Sequence, residues 1–316
     1  MILVAGGTGF LGSAIVRELA RRGERVAVMS HRPEAARERF PGLDVEVRGG
    51  DARDAVSLRR AVEGMETVIS AMQFPNYPVE NPRKDYTFYA IDARGNERLV
   101  AAARDAGVRS YVYLSGAGAA PDAKKRWFRA KWEAEQAITG SGLRYSIFRP
   151  SWVYGPEDKS MNRYVTFSRM LPFIPVIGDG KQPMQPVFFE DVARCVADSL
   201  TIEAAANQVF EIGGPDVMTM NDVVRTMLRV MGRKRPLFNS PVFLPRIAAA
   251  LMARLPNTPL SPEVVDFATA AALADTSNLL RVFDVKLTPL AEGLGTYLTP
   301  RPPSLAGKGE SSVSDG

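Results

Sequence analysis

A doubly wound parallel α/β sheet with a small C-terminal annex is what this 316-residue sequence predicts, on three observations. Short apolar runs ending in glycine alternate with helix-period segments through the first half. A glycine-rich turn, "GGTGFLG", joins the first such run to the first helix. After Pro150 the alternation stops and a Pro-, Gly- and Met-rich texture begins. Continuous apolar runs mark strands buried on both faces, and strands alternating with helices build parallel sheets with right-handed crossovers.

In chain order, "MILVAGG" reads as a buried strand feeding a tight turn. "FLGSAIVRELARRG" follows as a helix with Leu11, Ile15 and Leu19 on one face and Gly23 as its stop. "RVAVMS", "DVEVRGGD", "METVISAM" and "VRSYVYLSGAG" read as strands two to five, with "AARERF", "AVSLRRAVEG" and "ARGNERLVAAARDAG" as the helices between them. "WFRAKWEAEQAITGSG" is the next helix and "RYSIFRPSWVYG" strand six with its exit. "FEDVARCVADSLTIEAA" is expected as a helix capped by Asp191. A short strand, "QVFEI", then precedes a helix with Thr219 and Asp222 as a capping box and Gly232 as its stop. "PVFLPRIAAALMARLP" and "SPEVVDFATAAAL" are expected as annex helices. "TPLAEGLGTYL" closes the fold, with Thr288 as cap and Pro289 in the first turn. The expected division is a Rossmann-type core over 1–150, completed by 181–210, with 151–180 and 211–299 as a substrate-side subdomain. The Pro/Ser/Gly-rich 300–316 is expected as a disordered tail.

Composition narrows the chemistry. The chain is 46% apolar and 24% charged, as in ordinary globular proteins. Its one cysteine, Cys195, lies in the apolar stripe Val192, Cys195, Val196, Leu200, which reads as a buried structural thiol in a reducing compartment. His31 is the only histidine, which removes serine–histidine triads and histidine-rich metal sites, and no carboxylate spacing suggests a metal. Net charge is +5. The basic clusters "KKRWFRAK" (124–131) and "RVMGRKRP" (229–236) belong to no nucleic-acid motif and read as anion or surface patches. The chain opens on its first strand, leaving no room for a targeting peptide, and no apolar run reaches the ~18–20 residues of a membrane span. A cytoplasmic location is expected. The 241–256 helix is apolar around most of its girth, and reads either as annex core or as a peripheral contact with the inner face of a membrane.

"GGTGFLG" holds both G-x-x-G-x-x-G and G-x-G-x-x-G, follows a strand and opens an amphipathic helix. In that context Gly6, Gly7, Thr8, Gly9, Phe10, Leu11 and Gly12 form a turn whose backbone can approach the pyrophosphate of a dinucleotide. Where a cofactor lacking a 2′-phosphate meets an acid after strand two, this chain has Ser30, His31 and Arg32. A hydroxyl and a guanidinium suit a 2′-phosphate, so NADP(H) is favoured, with NAD(H) the alternative. Asp51, followed by Ala52, is placed either to accept from the adenine amino group or simply to cap a helix.

At this point the chain resembles the extended and atypical branches of the short-chain dehydrogenase/reductase superfamily. The resemblance rests on "GGTGFLG", "GDARD", "IDARGNERLVAAARDAGVRSYVYLSG", Lys131, "FRPSWVYGPED" and "PVFFEDVA". Within it, "RPSWVYGPED…N…LPFIPVIGDGKQPMQPVFFEDVA" is most similar to the NAD(P)H-binding accessory subunit of respiratory complex I and its bacterial relatives, often labelled epimerase/dehydratase. The resemblance implies a nicotinamide against the exits of strands four to six, beside Ala71, Met72, Ser115, Lys131, Arg149, Pro150 and Ser151. It implies Lys131 on the nicotinamide ribose and possible association with a protein complex or membrane.

The chain departs from that family at Trp127, which holds the position of the tyrosine acid. An indole N–H cannot supply the proton that a nascent alkoxide needs. The family's serine falls in "LSGAG", at either Ser115 or Gly116. Three readings stay open. One is an NADP(H)-dependent oxidoreductase for a quinone-, enone- or carbonyl-type acceptor, with Lys131 as essential residue and Ser115 second. Tyr77, Tyr86 and Tyr154 are then wall residues or replacement acids, and Trp127 lines the substrate pocket. Another is a non-catalytic NADP(H)-binding structural, assembly or redox-sensing protein. The third, a nucleotide-sugar epimerase or dehydratase, is disfavoured by Trp127.

Overall fold

The computed structural model describes residues 1–252 and 261–298. Strand β1 (Ile2–Ala5) passes through the glycine turn into α1 (Phe10–Arg21), followed by β2 (Val26–Ser30), α2 (Pro33–Arg37), β3 (Val45–Gly49) and α3 (Ala55–Val62). Strand β4 (Thr67–Ser70) runs into a long loop, a π-helical turn over Phe88–Ala93 and α4 (Arg94–Asp105). Next come β5 (Ser110–Leu114), α5 (Arg126–Thr139), β6 (Arg144–Pro150), β7 (Trp152–Tyr154), α6 (Lys159–Met170), β8 (Ile174–Ile177), β9 (Pro183–Met184), β10 (Pro186–Phe188), α7 (Phe189–Asp198) and β11 (Gln208–Ile212). The rest is β12 (Met218–Thr219), α8 (Met220–Val230), β13 (Leu237–Ser240), α9 (Phe243–Met252), α10 (Pro262–Thr269), α11 (Ser277–Val282) and α12 (Leu290–Leu298).

The main sheet has the order β3-β2-β1-β4-β5-β6-β11, with every pairing parallel. The expected doubly wound Rossmann-type sheet is therefore present. Helices cover both of its faces, so β1 and β2 are buried at every position. The chain leaves β3 on one side of β1 and re-enters at β4 on the other. This reversal opens a crevice at the C-terminal ends of β1 and β4, where such folds bind ligands. A third apolar cluster forms the annex, built around Trp152, Tyr154, Met161, Ile174, Phe188, Met227 and Leu294.

Three local expectations need correction. The weakly periodic segment after Pro150 holds a regular helix, α6, whose start is capped by Asp158: its carboxylate accepts from Ser160 N at 2.9 Å and Met161 N at 2.6 Å. Asp191 does not cap α7, which begins at Phe189 without a side-chain cap. Its buried carboxylate instead accepts from Thr288 N at 2.7 Å and Thr288 Oγ1 at 3.0 Å, binding the end of the chain to the sheet's helix layer. Thr288 is thus committed to Asp191, and it is Asp216 that accepts the Leu290 amide of α12 at 2.8 Å. The Thr219–Asp222 capping box forms as expected, and Cys195 is fully buried with its thiol pushed up to about 12 by burial. Residues 253–256 of the expected annex helix and the expected tail at 300–316 lie outside the described residues. No helix among the described residues is long and apolar enough to cross a membrane.

Helix α12 packs on the annex through Gly293, where a Cβ would overlap the hydroxyl of fully buried Tyr154. That hydroxyl has no hydrogen-bond partner among the described residues. Gly293→Ala should lower unfolding free energy by about 1–3 kcal/mol in urea titration, as overpacked cores do. Adding Tyr154→Phe, which removes the obstructing oxygen, should recover part of that loss.

Candidate active site

The glycine turn is fixed by its own backbone. Gly7 N donates to Val4 O at 3.3 Å, Gly9 N to Gly6 O at 2.9 Å and Ser13 N to Gly9 O at 2.8 Å. Gly6 has φ +79° and lies flat against the exit of β4, so that a Cβ there would meet Ala71 O and Met72 Cα. A Cβ on Gly12 would overlap the Gly6 carbonyl. These contacts bring the turn and the Ala71–Met72 segment together at the sheet's reversal. Helix α1 starts at Gly9 with no side-chain cap and no acidic residue in its first turn, leaving its amides and positive end uncompensated, as a bound pyrophosphate requires. Phe10 stacks on Phe189 with ring centroids 5.6 Å apart.

At the end of β2, Ser30 is buried and its Oγ accepts from Arg32 N at 3.1 Å. His31 and Arg32 are exposed, and the Arg32 guanidinium has no carboxylate partner among the described residues. Asp51 is engaged by Arg53, whose Nε reaches Oδ1 at 2.8 Å and Nη2 reaches Oδ2 at 2.5 Å. Arg53 holds the Asp51 carboxyl below the usual carboxylate range, against the opposing effect of burial. The Arg53 guanidinium also lies 4.8 Å over the Tyr86 ring. Ala52 is buried behind them, facing Gly95.

Lys131 projects from α5 toward the end of β5, buried, with Nζ donating to Leu114 O at 3.3 Å. Its counter-charge is Asp92, 3.4 Å away in the π-helical turn and completely buried. Among the described residues neither Asp92 side-chain oxygen accepts a hydrogen bond, and burial raises its pKa to about 6 even though Lys131 pulls the other way. The turn itself is held by Asn96, which donates to Asp92 O at 2.8 Å and accepts from Ser70 Oγ at 2.6 Å. The phenols of Tyr77 and Tyr113 are pushed well above their ordinary pKa by burial and then by Asp92.

Ser115 is placed differently from Lys131. Its hydroxyl donates to buried Glu135 at 2.5 Å, and Glu135 is also gripped by Arg149 at 2.9 Å and 2.5 Å. The position facing Lys131 belongs to Gly116, where a Cβ would stand 3.4 Å from Lys131 Cδ. Pro150 ends β6, and Ser151 Oγ donates to Gln185 O at 2.5 Å. Trp127, one turn before Lys131, is buried among Phe88, Phe128 and Phe267 at centroid distances of 5.6–5.9 Å. Tyr77 joins this cluster through Phe74, Phe88 and Phe267. Tyr154 does not; it is buried under α12.

A family model described as "NAD dependent epimerase/dehydratase family" matches residues 2–213. The chain belongs to this family. The resemblance to atypical short-chain dehydrogenase/reductases is thereby borne out, and with it the binding of a nicotinamide dinucleotide. Among relatives, the mitochondrial NADH dehydrogenase [ubiquinone] 1 alpha subcomplex subunit 9 of Arabidopsis thaliana is 27% identical, aligned over 90% of this chain and 73% of its own. A (4-alkanoyl-5-oxo-2,5-dihydrofuran-3-yl)methyl phosphate reductase of Streptomyces griseus is 30% identical over 81% of this chain and 82% of its own. The NADPH-dependent quinone oxidoreductase of Escherichia coli, solved with NADPH, shares the fold with a TM-score of 0.72 at 20% identity, over 95% of this chain and all of that one.

Asp92, Asn96 and Glu135 are polar residues of this region that no sequence motif marked, whereas Arg149 was expected at the turn after strand six. Among the described residues no group of three or more His, Cys, Asp or Glu is arranged to hold a metal ion.

The raised pKa of Asp92 has a defined sign. The folded chain binds this proton more tightly than the unfolded chain, so the associated stability is full below about 3.8 and is lost as pH rises through about 6. The difference in melting temperature between wild type and Asp92→Asn should therefore move against wild type from pH 4 to pH 7. A difference constant across that range would show that Asp92 titrates normally.

Proposed function

We propose that the protein is an NADP(H)-dependent oxidoreductase whose acceptor is a quinone-, enone- or carbonyl-type molecule, reduced without a tyrosine acid. The observation that carries this reading is the buried Lys131–Asp92 pair beside the end of β5, with Trp127 filling the tyrosine's place. A bound NADPH supplies hydride. Arg32 and Ser30 hold the 2′-phosphate, and the uncapped start of α1 holds the pyrophosphate. Lys131 orients the nicotinamide ribose and gives its ammonium proton to the reduced acceptor. Asp92, with a pKa near 6, stands next to Lys131 to pass a replacement proton. One hydride and one proton thus reach the acceptor.

A lysine is a weak acid, which suits a quinone or enone because the reduced product spreads its charge. The aromatic wall of Trp127, Phe128, Phe267 and Tyr77 suits a flat apolar acceptor. The Streptomyces relative, by its name a reductase, supports the same class of chemistry. A sugar keto group, which leaves a localised alkoxide, fits poorly.

The second reading is a non-catalytic NADP(H)-binding protein that works within an assembly, in the cytoplasm or at a membrane's inner face. It is favoured by Lys131 being already satisfied by Leu114 O and Asp92, and by the similarity to complex I subunits. The two separate by anaerobic absorbance of protein-bound NADPH on mixing with quinones, enones, aldehydes and sugar nucleotides. Oxidation by quinones or enones, lost in Lys131→Ala while NADPH still binds, is expected. Tight binding with no oxidation across the panel would leave the second reading.

Arg32→Ala should weaken NADPH about tenfold in fluorescence titration, the size of one charge-assisted contact, and leave NADH unchanged. Equal effects on both would assign Arg32 no part in choosing the cofactor.

A further inference from the structure

In the annex, an open cavity of about 580 Å³ lies between the end of α8 and the start of β13. Its wall carries Arg225, Arg229, Arg233, Lys234 and Arg235. Arg225 pairs with Asp222 at 3.0 Å; the other four make no ion pair among the described residues. Arg233 Nη1 donates to Ser168 O at 3.1 Å, and the Arg235 Nε is buried without a partner among the described residues.

Beside this basic wall the surface turns apolar. Arg233 ties the cavity to the end of α6, where Met170 is 76% exposed. Phe173, just before β8, and Phe238, on β13, are exposed and meet edge to face with ring centroids 5.7 Å apart. The chain then enters α9, which turns Phe243, Leu244, Ile247 and Leu251 to solvent, Leu251 at 73% exposure. Ala249 faces inward, and Arg246 is held by Asp266 of α10 at 2.9 Å. The helix therefore has a fixed inner side and a free apolar outer side.

We propose that this surface docks on an anionic lipid bilayer, with phosphate headgroups in the basic cavity and the outer face of α9, with Phe173 and Phe238, in the acyl boundary. Charge decides the occupant. Unpaired Arg and Lys next to exposed aliphatic and aromatic side chains match the headgroup and acyl layers of an acidic leaflet, and such attraction adds with each basic residue near the surface. The proposal does not depend on whether the nicotinamide site turns over.

The test is sedimentation of the full chain with phosphatidylcholine vesicles, with and without one-quarter phosphatidylglycerol. Binding only to the acidic vesicles, weakened by salt, is expected. Arg229→Glu with Lys234→Glu should reduce it at least tenfold, and so should Ile247→Ser with Leu251→Ser, with melting temperatures unchanged. These surface changes spare the fold because the four side chains are exposed or lack buried partners. Failure to bind acidic vesicles would overturn the proposal. So would wild-type self-association, by light scattering, that disappears in Ile247→Ser/Leu251→Ser, because the patch would then be a face between copies of the chain.

Discussion

Lys131 and Asp92 are opposite charges held where water does not reach, and each would be several kcal/mol out of balance without the other. Much of the surrounding architecture keeps them there. The π-helical turn lifts Asp92 toward α5 as part of the entry into α4; Asn96 donates to the Asp92 carbonyl of that turn and is itself held by the Ser70 hydroxyl. On the other side, Glu135 one turn further along α5 is neutralised by Arg149 from β6 and accepts a hydrogen bond from Ser115. Two ion pairs thus lock α5 to the π-helical turn and to β6, and the hydrogen bonds of Lys131 to Leu114 O and of Ser115 to Glu135 add the end of β5. The lysine keeps its position although the tyrosine that usually accompanies it is missing.

The annex completes the site from above. Asp266 on α10 pairs with Lys125 at the start of α5 at 2.8 Å and with Arg246 on α9 at 2.9 Å, so one carboxylate joins three helices. Phe267, the next residue, then falls on Trp127 and Tyr77. Replacement of tyrosine by tryptophan therefore does more than remove an acid. It gives the aromatic cluster of Phe88, Phe128 and Phe267 a buried indole as its floor. The helix pair that roofs this cluster presents its other side to solvent, linking the roof of the site to the surface we assign to lipid.

Most of the sheet was legible in the sequence because its strands are continuous apolar runs and its junctions are glycines with steric reasons to be there. Gly6 and Gly12 show why: the turn closes only if neither carries a side chain. Helix α6 was not legible, because its buried side, Met161, Val165 and Ser168, is narrow and its capping residue sits in a loop of mixed texture. Asp191 misled for a related reason. An acid near a helix start reads as a cap, and only the fold shows that Thr288, nearly a hundred positions away, is its partner. Asp92 could have been found: with Asn96, Leu99 and Ala103 it lies on the side of the helix that faces the core, where an unpaired carboxylate calls for a counter-charge. Glu135 carries the same signal, four positions after Lys131. The choice between Ser115 and Gly116 was beyond the sequence, since it depends on which way the chain leaves β5.

The most direct test of the site assignment is a crystal structure of the protein with NADPH. The expected map places the 2′-phosphate on Arg32, the pyrophosphate on the first turn of α1, and the nicotinamide ribose within hydrogen-bond distance of Lys131 Nζ, with Asp92 still beside it. A map in which the cofactor stops short of β5, leaving Lys131 bonded to Leu114 O and the space under Phe267 filled by protein, would contradict a role for the Lys131–Asp92 pair in nicotinamide chemistry.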